Sequence, residues 1–183
     1  MKLDVSENCK KYLSEGQLDL LDQGDHLLAH AKLDVVEKRF MFDDYSFIVF
    51  PFAKAYEGFL KQVFLDAGFI DERDYTSNHF RVGKVMSPNL EKRLGNRSVY
   101  KKICKASGCA LADKIWNTWK KGRNLVFHYY PHNIKSLTLT QAEELVVMIV
   151  ETMEETLEAL QDKLVKSDEQ IVREKLARLG KVR

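Results

Sequence analysis

The stretch Asp44–Ala67 constrains the fold more than any other part of the chain. Apolar side chains recur along it at helical spacing, and Phe47, Phe50 and Phe64 extend the apolar surface to the side opposite the main stripe. A helix that is apolar nearly all round is either central in a bundle or covers an interface. Gly68 is placed to end it. The sequence therefore predicts a long helix that is central or covers an interface, which Asp43 or Asp44 can cap and which Pro51 either kinks or starts.

The other elements predicted from periodicity and capping residues are also helices, and no stretch shows the alternation of a strand. They cover residues 6–15 (capped by Ser6), 17–38, 110–130 and 140–165, with short helices after Ser87 and Ser98. Gly24 weakens the second prediction, and Thr140 with Glu143 forms a capping box for the last. The expected fold is an all-α bundle of four main helices with extra short helices. Residues 1–40 should pack on a domain of residues 41–166, followed by a charged helix or tail, 167–183.

The cysteines and the chain start indicate the cellular compartment. The three cysteines are Cys9, Cys104 and Cys109. Their odd number and the lack of a CxxC pair argue against a disulfide framework and against a zinc ribbon. The first residues lack the apolar core of a signal peptide, and no apolar run reaches the length of a membrane-spanning helix. We therefore expect a cytoplasmic protein with no membrane partner.

One histidine pair raises the question of a metal. His26 and His30 are four residues apart on a predicted helix, with Asp22 one turn earlier, and this spacing could hold an ion. A third ligand of equal specificity is missing, so a solvated helix face is the favoured interpretation. No metal is predicted.

The formal net charge of +2 hides a basic block. From Arg81 to Arg123 the chain has twelve Lys and Arg against two acidic residues, so this block carries +10 and the remainder −8. Such a block is typical of a surface that faces phosphates. The alternative is an ordinary solvated loop and helix face.

Residues 117–132 predict the end of a helix, which Pro131 should close. On a helical wheel an apolar stripe faces the core, a polar set lies opposite, and Arg123 is on the flank. The stripe is Leu111, Ala112, Ile115, Trp119, Gly122, Val126, Tyr129 and Tyr130, and the polar set is Asn117, Lys121, Asn124 and His128. Any surface helix has an apolar and a polar side, so the polar set is either an ordinary solvated face or a functional site.

Arg123, followed by Asn124 and, after four intervening positions, by His128, resembles the signature of HEPN ribonucleases. The segment from Phe52 to Lys61, followed by Asp-Ala-Gly-Phe at 66–69, is similar to the central helix of the HEPN domain in RNase LS-type toxins. The resemblance covers about residues 40–165 and implies a HEPN-like bundle. A second match, from an arginine at 73 to a histidine at 79, lies in a predicted loop and is interpreted as coincidence.

The resemblance implies a metal-independent endoribonuclease, without a cofactor, in which the 2′-hydroxyl of RNA attacks the adjacent phosphorus. His128 would act as base or acid because imidazole exchanges protons near neutral pH. Arg123 would hold the phosphate through its guanidinium fork, and Asn124 would orient either group. Supporting residues would be Glu57, Lys61 and Tyr130, and the RNA backbone would bind Arg81, Lys84, Arg97, Lys101, Lys102 and Lys121. Glu57 and Lys61 are spaced for an ion pair with each other, or both face a cleft.

The expected partners follow from the same resemblance. One histidine does not easily perform both proton transfers, and HEPN proteins are thought to pair two motifs across a homodimer, here through the exposed side of the central helix and Phe127. A toxin of a toxin–antitoxin or phage-defence system would also bind an antitoxin protein. Tyr130 would either pack or be modified by a partner nucleotidyltransferase. The alternatives are a non-catalytic HEPN nucleotide- or protein-binding module and a plain helical interaction domain.

Overall fold

The computed structural model describes residues 5–128 and 136–164, which contain helices and no strand, so the predicted all-α fold is confirmed. Within them, no helix is both long and apolar enough to cross a membrane. The α-helices are α1 (Glu7–Tyr12), α2 (Glu15–Val36), α3 (Ser46–Asp66), α4 (Glu72–Thr76), α5 (Val82–Val85), α6 (Glu91–Leu94), α7 (Val99–Ser107), α8 (Cys109–Trp119) and α9 (Leu139–Leu160). Short 3₁₀ turns cover Pro88–Leu90, Gly95–Arg97 and Gln161–Lys163.

Helix α3 is central, which is one of the two positions that its composition allows. It packs along α2 and also against α8 and α9, and its side chains from Ile48 to Phe64 supply much of the single buried core. The Phe52 ring lies so close to Gly24 of α2 that a Cβ there would be 2.3 Å from it. Gly24 does not interrupt α2. Its missing side chain instead lets α2 and α3 approach each other closely.

The start of α3 differs from the prediction. The helix begins at Ser46. Asp44 precedes it, and its Oδ1 atom accepts hydrogen bonds from the backbone N–H of Ser46 (2.9 Å) and of Leu137 (3.0 Å). Pro51 lies inside the helix and is buried, so it does not mark the start. Asp44 therefore joins the start of α3 to the chain that leads into α9.

Other helix ends follow their local signals. Gly68 has φ +67°, and the N–H groups of Gly68 and Phe69 donate to the carbonyls of Leu65 and Phe64, as expected for a glycine that closes a helix. Helix α9 begins two residues earlier than predicted. Thr138 is its extended N-cap and forms the capping box with Gln141, because this pair also has the Thr-x-x-Gln spacing.

The cysteine prediction is wrong in one respect. Cys104 and Cys109 are joined by a disulfide, whereas Cys9 is a buried free thiol. The turn between α7 and α8 passes through Gly108 at φ +90° and brings the two cysteine Cα atoms to 4.1 Å. A sequence count cannot reveal this pairing because it depends on the tight turn.

Candidate active-site cleft

The helix that carries the arginine and histidine motif is shorter than predicted. α8 ends at Trp119, a wider π turn covers Lys120–Asn124, and His128 follows after an irregular turn. A Cβ at Gly122 would lie 3.0 Å from Ile149 Cδ1, so the turn presses its backbone onto α9. Single π turns are frequent at functional sites because they redirect side chains. Here the turn places Arg123 and Asn124 off the regular helical register.

The predicted division of this segment into buried and polar sides is found where the structure describes it. Leu111, Ala112, Ile115, Trp119 and Gly122 are buried, and Val126 is half-buried. On the polar side, Asn117, Lys121 and His128 are exposed and Asn124 is half-buried. Tyr129, Tyr130 and Pro131 lie outside the described residues, so the two roles considered for Tyr130 remain predictions.

A cleft of about 620 Å³ lies between α3 and the motif turn, which comprises residues 120–128. It brings together two of the three predicted catalytic residues and both described supporting residues. Its lining consists of Phe50, Ala53, Lys54, Glu57, Gly58 and Lys61 from α3, and of Arg123, Phe127 and His128.

Asn124 holds the imidazole of His128. The His128 Nε2 atom is 2.9 Å from Asn124 Oδ1, one helical turn away in sequence. With Asn124 Oδ1 facing the ring, Nε2 is the donor of this bond, because an amide oxygen only accepts hydrogen bonds. The contact orients the imidazole relative to the turn that carries Asn124.

Two contacts orient Arg123. Its Nε donates to Glu57 Oε2 at 3.2 Å, and its guanidinium carbon lies 5.6 Å from the centre of the Trp119 ring. The ring itself is confined, because a Cβ at Gly83 would be 2.2 Å from it. Since only Nε is used by Glu57, the donors on both Nη atoms can form a fork for an oxyanion.

The cleft carries an excess of positive charge. Lys54, Lys61 and Arg123 line it together with one carboxylate, Glu57, which leaves two unbalanced positive charges. Of the two arrangements considered for Glu57 and Lys61, the structure has the one in which both line a cleft, and Glu57 bonds to Arg123. The Lys61 Nζ atom lies 5.9 Å from the centre of the Phe80 ring.

The predicted RNA-binding residues do not line this cleft. Three of them contact other parts of the protein. Arg81 Nη1 donates to two backbone carbonyls at 2.6 and 3.0 Å, and Lys102 Nζ donates to one at 2.6 Å. Arg97 lies 3.6 Å from Asp74, although its side chain is 78% exposed. These contacts use donors that were expected to face phosphates.

The remaining three cations are placed differently. Lys84 and Lys121 are exposed, and Lys101 is half-buried on α7. Lys84 follows Gly83, which contacts the Trp119 ring under Arg123, and Lys121 belongs to the π turn itself. These two are therefore close in sequence to residues that build the cleft.

Five lining residues, Phe50, Ala53, Lys54, Gly58 and Phe127, were not among the predicted site residues, and Phe127 was expected at a dimer contact instead. A signal for two of them exists in the sequence, because Phe50, Lys54, Glu57 and Lys61 recur at helical spacing on one side of α3. The signal is obscured by the other apolar residues that surround this helix. Only the packing of the motif turn against α3 shows which side forms a cleft.

Other histidines lie away from the cleft. The His26 and His30 rings are 4.3 Å apart on the exposed face of α2, and among the described residues no three side chains of metal-ligand type are grouped as a metal site. His79 follows α4 in an exposed turn, and neither it nor Arg73 lines the cleft.

Comparisons of the chain with protein-family models, curated proteins and solved structures found no match. The resemblance to HEPN ribonucleases therefore rests on the residues quoted above.

Proposed function

We propose that this protein is a metal-independent HEPN-type endoribonuclease. The observation that supports it most is the 2.9 Å contact between His128 and Asn124, with His128 lining a cleft of positive charge that Arg123 also lines. A titratable imidazole, an anion-binding fork and cationic walls are the groups that metal-free cleavage of a phosphodiester requires.

In the proposed reaction the 2′-hydroxyl loses its proton to a base and its oxygen bonds to the adjacent phosphorus. The bond from phosphorus to the 5′-oxygen breaks, and that oxygen takes up a proton from an acid. The products are a 2′,3′-cyclic phosphate and a 5′-hydroxyl. His128 performs one proton transfer, Arg123 stabilises the charge on the non-bridging oxygens, and Glu57 positions Arg123. Lys61 binds the RNA backbone.

The second proton transfer is assigned to His128 of another copy in a homodimer. An exposed apolar surface beside the start of α3 supports this association. The Phe40 and Phe42 rings are 4.7 Å apart, and Phe42 lies 4.8 Å from Phe47. Large exposed apolar patches mark interaction sites. We define the apolar surface as Leu33, Val36, Phe40, Met41 and Phe42, which are between 41% and 77% exposed.

A role as a toxin restrained by an antitoxin protein is part of the same proposal. A free ribonuclease would damage cellular RNA, so a cell must restrain it. The apolar surface, or a modified Tyr130, would offer the antitoxin a point of control.

The test is cleavage of mixed RNA by the purified protein in EDTA. We expect cleavage by the parent and its loss in His128→Ala, with an almost unchanged melting temperature because His128 is exposed. His79→Ala is the matched control, since it removes an exposed histidine of the second arginine–histidine match and should retain full activity. Equal activity of the parent and His128→Ala would refute the proposal.

The second candidate is a non-catalytic nucleotide- or protein-binding module. The specific observation in its favour is that Arg123 is already paired with a carboxylate, which neutralises part of its charge in the free protein. Under this alternative, RNA or nucleotide binds to the cleft but remains intact after prolonged incubation.

A further inference from the structure

The cleft has an aromatic end and a cationic end. Phe50 is 53% exposed although it belongs to the central helix, and its ring meets that of Phe127 edge to face, with centres 5.5 Å apart. Lys61 lines the cleft eleven positions further along α3, which corresponds to about 16 Å at the rise of an α-helix. Lys54, Glu57 and Arg123 lie between these ends.

A phosphate ion does not need the aromatic end. Water hydrates exposed phenylalanine rings poorly, and such rings offer an anion no hydrogen-bond donor. The flat face of a nucleobase, in contrast, stacks on aromatic rings whichever base it is. An apolar protein segment is a poorer fit, because it would bury Lys54 and Arg123 against uncharged groups. A flat ring linked to phosphate satisfies both ends of the cleft.

We propose that Phe50 and Phe127 form a nucleobase subsite, and that the ligand of the cleft is single-stranded RNA with its backbone directed along α3 towards Lys61. This deepens the proposed function and rests on it for the identity of the polymer. The base stacks on the rings next to His128, and Lys54, Arg123 and Lys61 contact successive phosphates.

The geometry also selects unpaired RNA. In an A-form duplex the base faces are stacked on one another and cannot reach an aromatic wall, so recognition by stacking requires splayed bases in loops or single strands. The subsite distinguishes bases weakly, since every base has such a face.

Binding in a non-cleaving background tests the subsite. In His128→Ala protein, the affinity for a fluorescent uridine oligonucleotide is compared by anisotropy with that for an abasic ribose-phosphate oligomer of equal length. Phe50→Leu and Phe127→Leu should each weaken binding of the base-bearing strand by about tenfold and leave the abasic strand unaffected, given about 1–3 kcal/mol per stacked base. Phe50→Tyr, which keeps a ring face, is the matched control and should bind like Phe50.

The outcomes separate the two proposals. If the parent fails to cut RNA but the base-dependent loss is found, the subsite stands and the ribonuclease does not. If the parent cuts RNA and Phe50→Leu binds both strands as before, the subsite is refuted and the ribonuclease stands. Sedimentation of the same variants supplies the third result. If the variants shift from dimer to monomer and bind both strands more weakly by the same factor, the two rings form a protein contact and the proposal is overturned. Circular dichroism confirms that each variant is folded.

Discussion

Arg123 Nε donates to Glu57 Oε2 across 3.2 Å, and this bond ties the π turn after α8 to the middle of the central helix. The two residues are 66 positions apart in sequence. Their side chains are 41% and 24% exposed, so the pair lies at the wall of the cleft and water reaches it. It holds the guanidinium where the cleft is lined by two further cations.

Glu57→Gln should separate binding from catalysis. The amide can still accept a bond from Arg123 but carries no charge, so the cleft gains one net positive charge and RNA should bind more tightly at low salt. Cleavage at saturating RNA should become slower because Arg123 is held less firmly. The free energy of unfolding should change by less than about 1 kcal/mol, since partly exposed pairs contribute little. Weaker RNA binding by the variant, measured over a salt series, would contradict this role.

The approach of α2 to α3 predicts opposite effects of two identical substitutions in α2. Gly24→Ala should destabilise the protein by about 1–3 kcal/mol, because the new methyl group would clash with the buried Phe52 ring. Gly16→Ala is the control and should be neutral or stabilising by up to about 1 kcal/mol, since no atom lies within 4 Å of the position that its Cβ would occupy. Urea unfolding of both variants measures the difference. A stabilising Gly24→Ala would refute the close packing.

The junction at Asp44 should make stability depend on acid. Burial acts to raise the pKa of Asp44, but hydrogen bonds from the backbone of Leu137 and Ser46 and from the Ser46 hydroxyl outweigh it, and the pKa is lowered. A lowered folded-state pKa stabilises the protein above the unfolded value of about 3.9, and this stabilisation is lost as pH falls through the folded value.

Asp44→Asn should therefore be less stable than the parent at neutral pH, by about 1 kcal/mol or less because the group is exposed. The difference in the free energy of unfolding should narrow once the pH falls below about 4. Thermal melts of both proteins between about pH 3 and 7 give this curve. A difference that is constant over the range would show that the ionised carboxylate is not what joins α3 to residue 137.

The cysteines should differ in reactivity. Burial, reinforced by the nearby Glu154 carboxylate, raises the pKa of Cys9 to about 11, and this thiol is 1% exposed. A thiolate is the reactive form, so native protein without reductant should show no rapid alkylation. After mild reduction, Cys104 and Cys109 should both react while Cys9 stays protected. Intact-mass measurement counts the adducts, and rapid labelling of two thiols before reduction would show that the disulfide is absent.

The apolar surface should control association. Phe40→Lys with Met41→Lys adds two charges to this surface, so we expect the dimer proposed above to dissociate and cleavage to fall with it. The control variant, Asn8→Lys with Gln23→Lys, adds the same charge at exposed positions of α1 and α2. It should leave both the dimer and RNA cleavage unchanged. Sedimentation velocity and RNA cleavage are measured on the same samples. A parent that is monomeric and fully active would exclude the dimer.

Local signals in the sequence were sufficient for several elements. The apolar residues around α3, the glycine at 68 and the serines that cap α1 and α7 each act within a few residues, so the all-α fold and these helix positions could be predicted. Prediction was poorer where two local signals compete. At the start of α9 both Thr138 and Thr140 have the capping spacing, and at Gly24 the intrinsic helix penalty is outweighed by packing against Phe52.

The sequence by itself determined that a long apolar helix covers most of residues 44–67 and that Arg123, Asn124 and His128 are closely spaced, because both depend on residues near one another in the chain. Only the tertiary structure decided that Glu57 bonds to Arg123 instead of Lys61, that Phe50 and Phe127 meet, and that Arg81 and Lys102 donate to backbone carbonyls. Some of these contacts join segments that are distant in sequence. In the others, several acceptors compete for the same donor. Their outcome is set by how α8 and its π turn pack on α3 and α9, which no local pattern encodes.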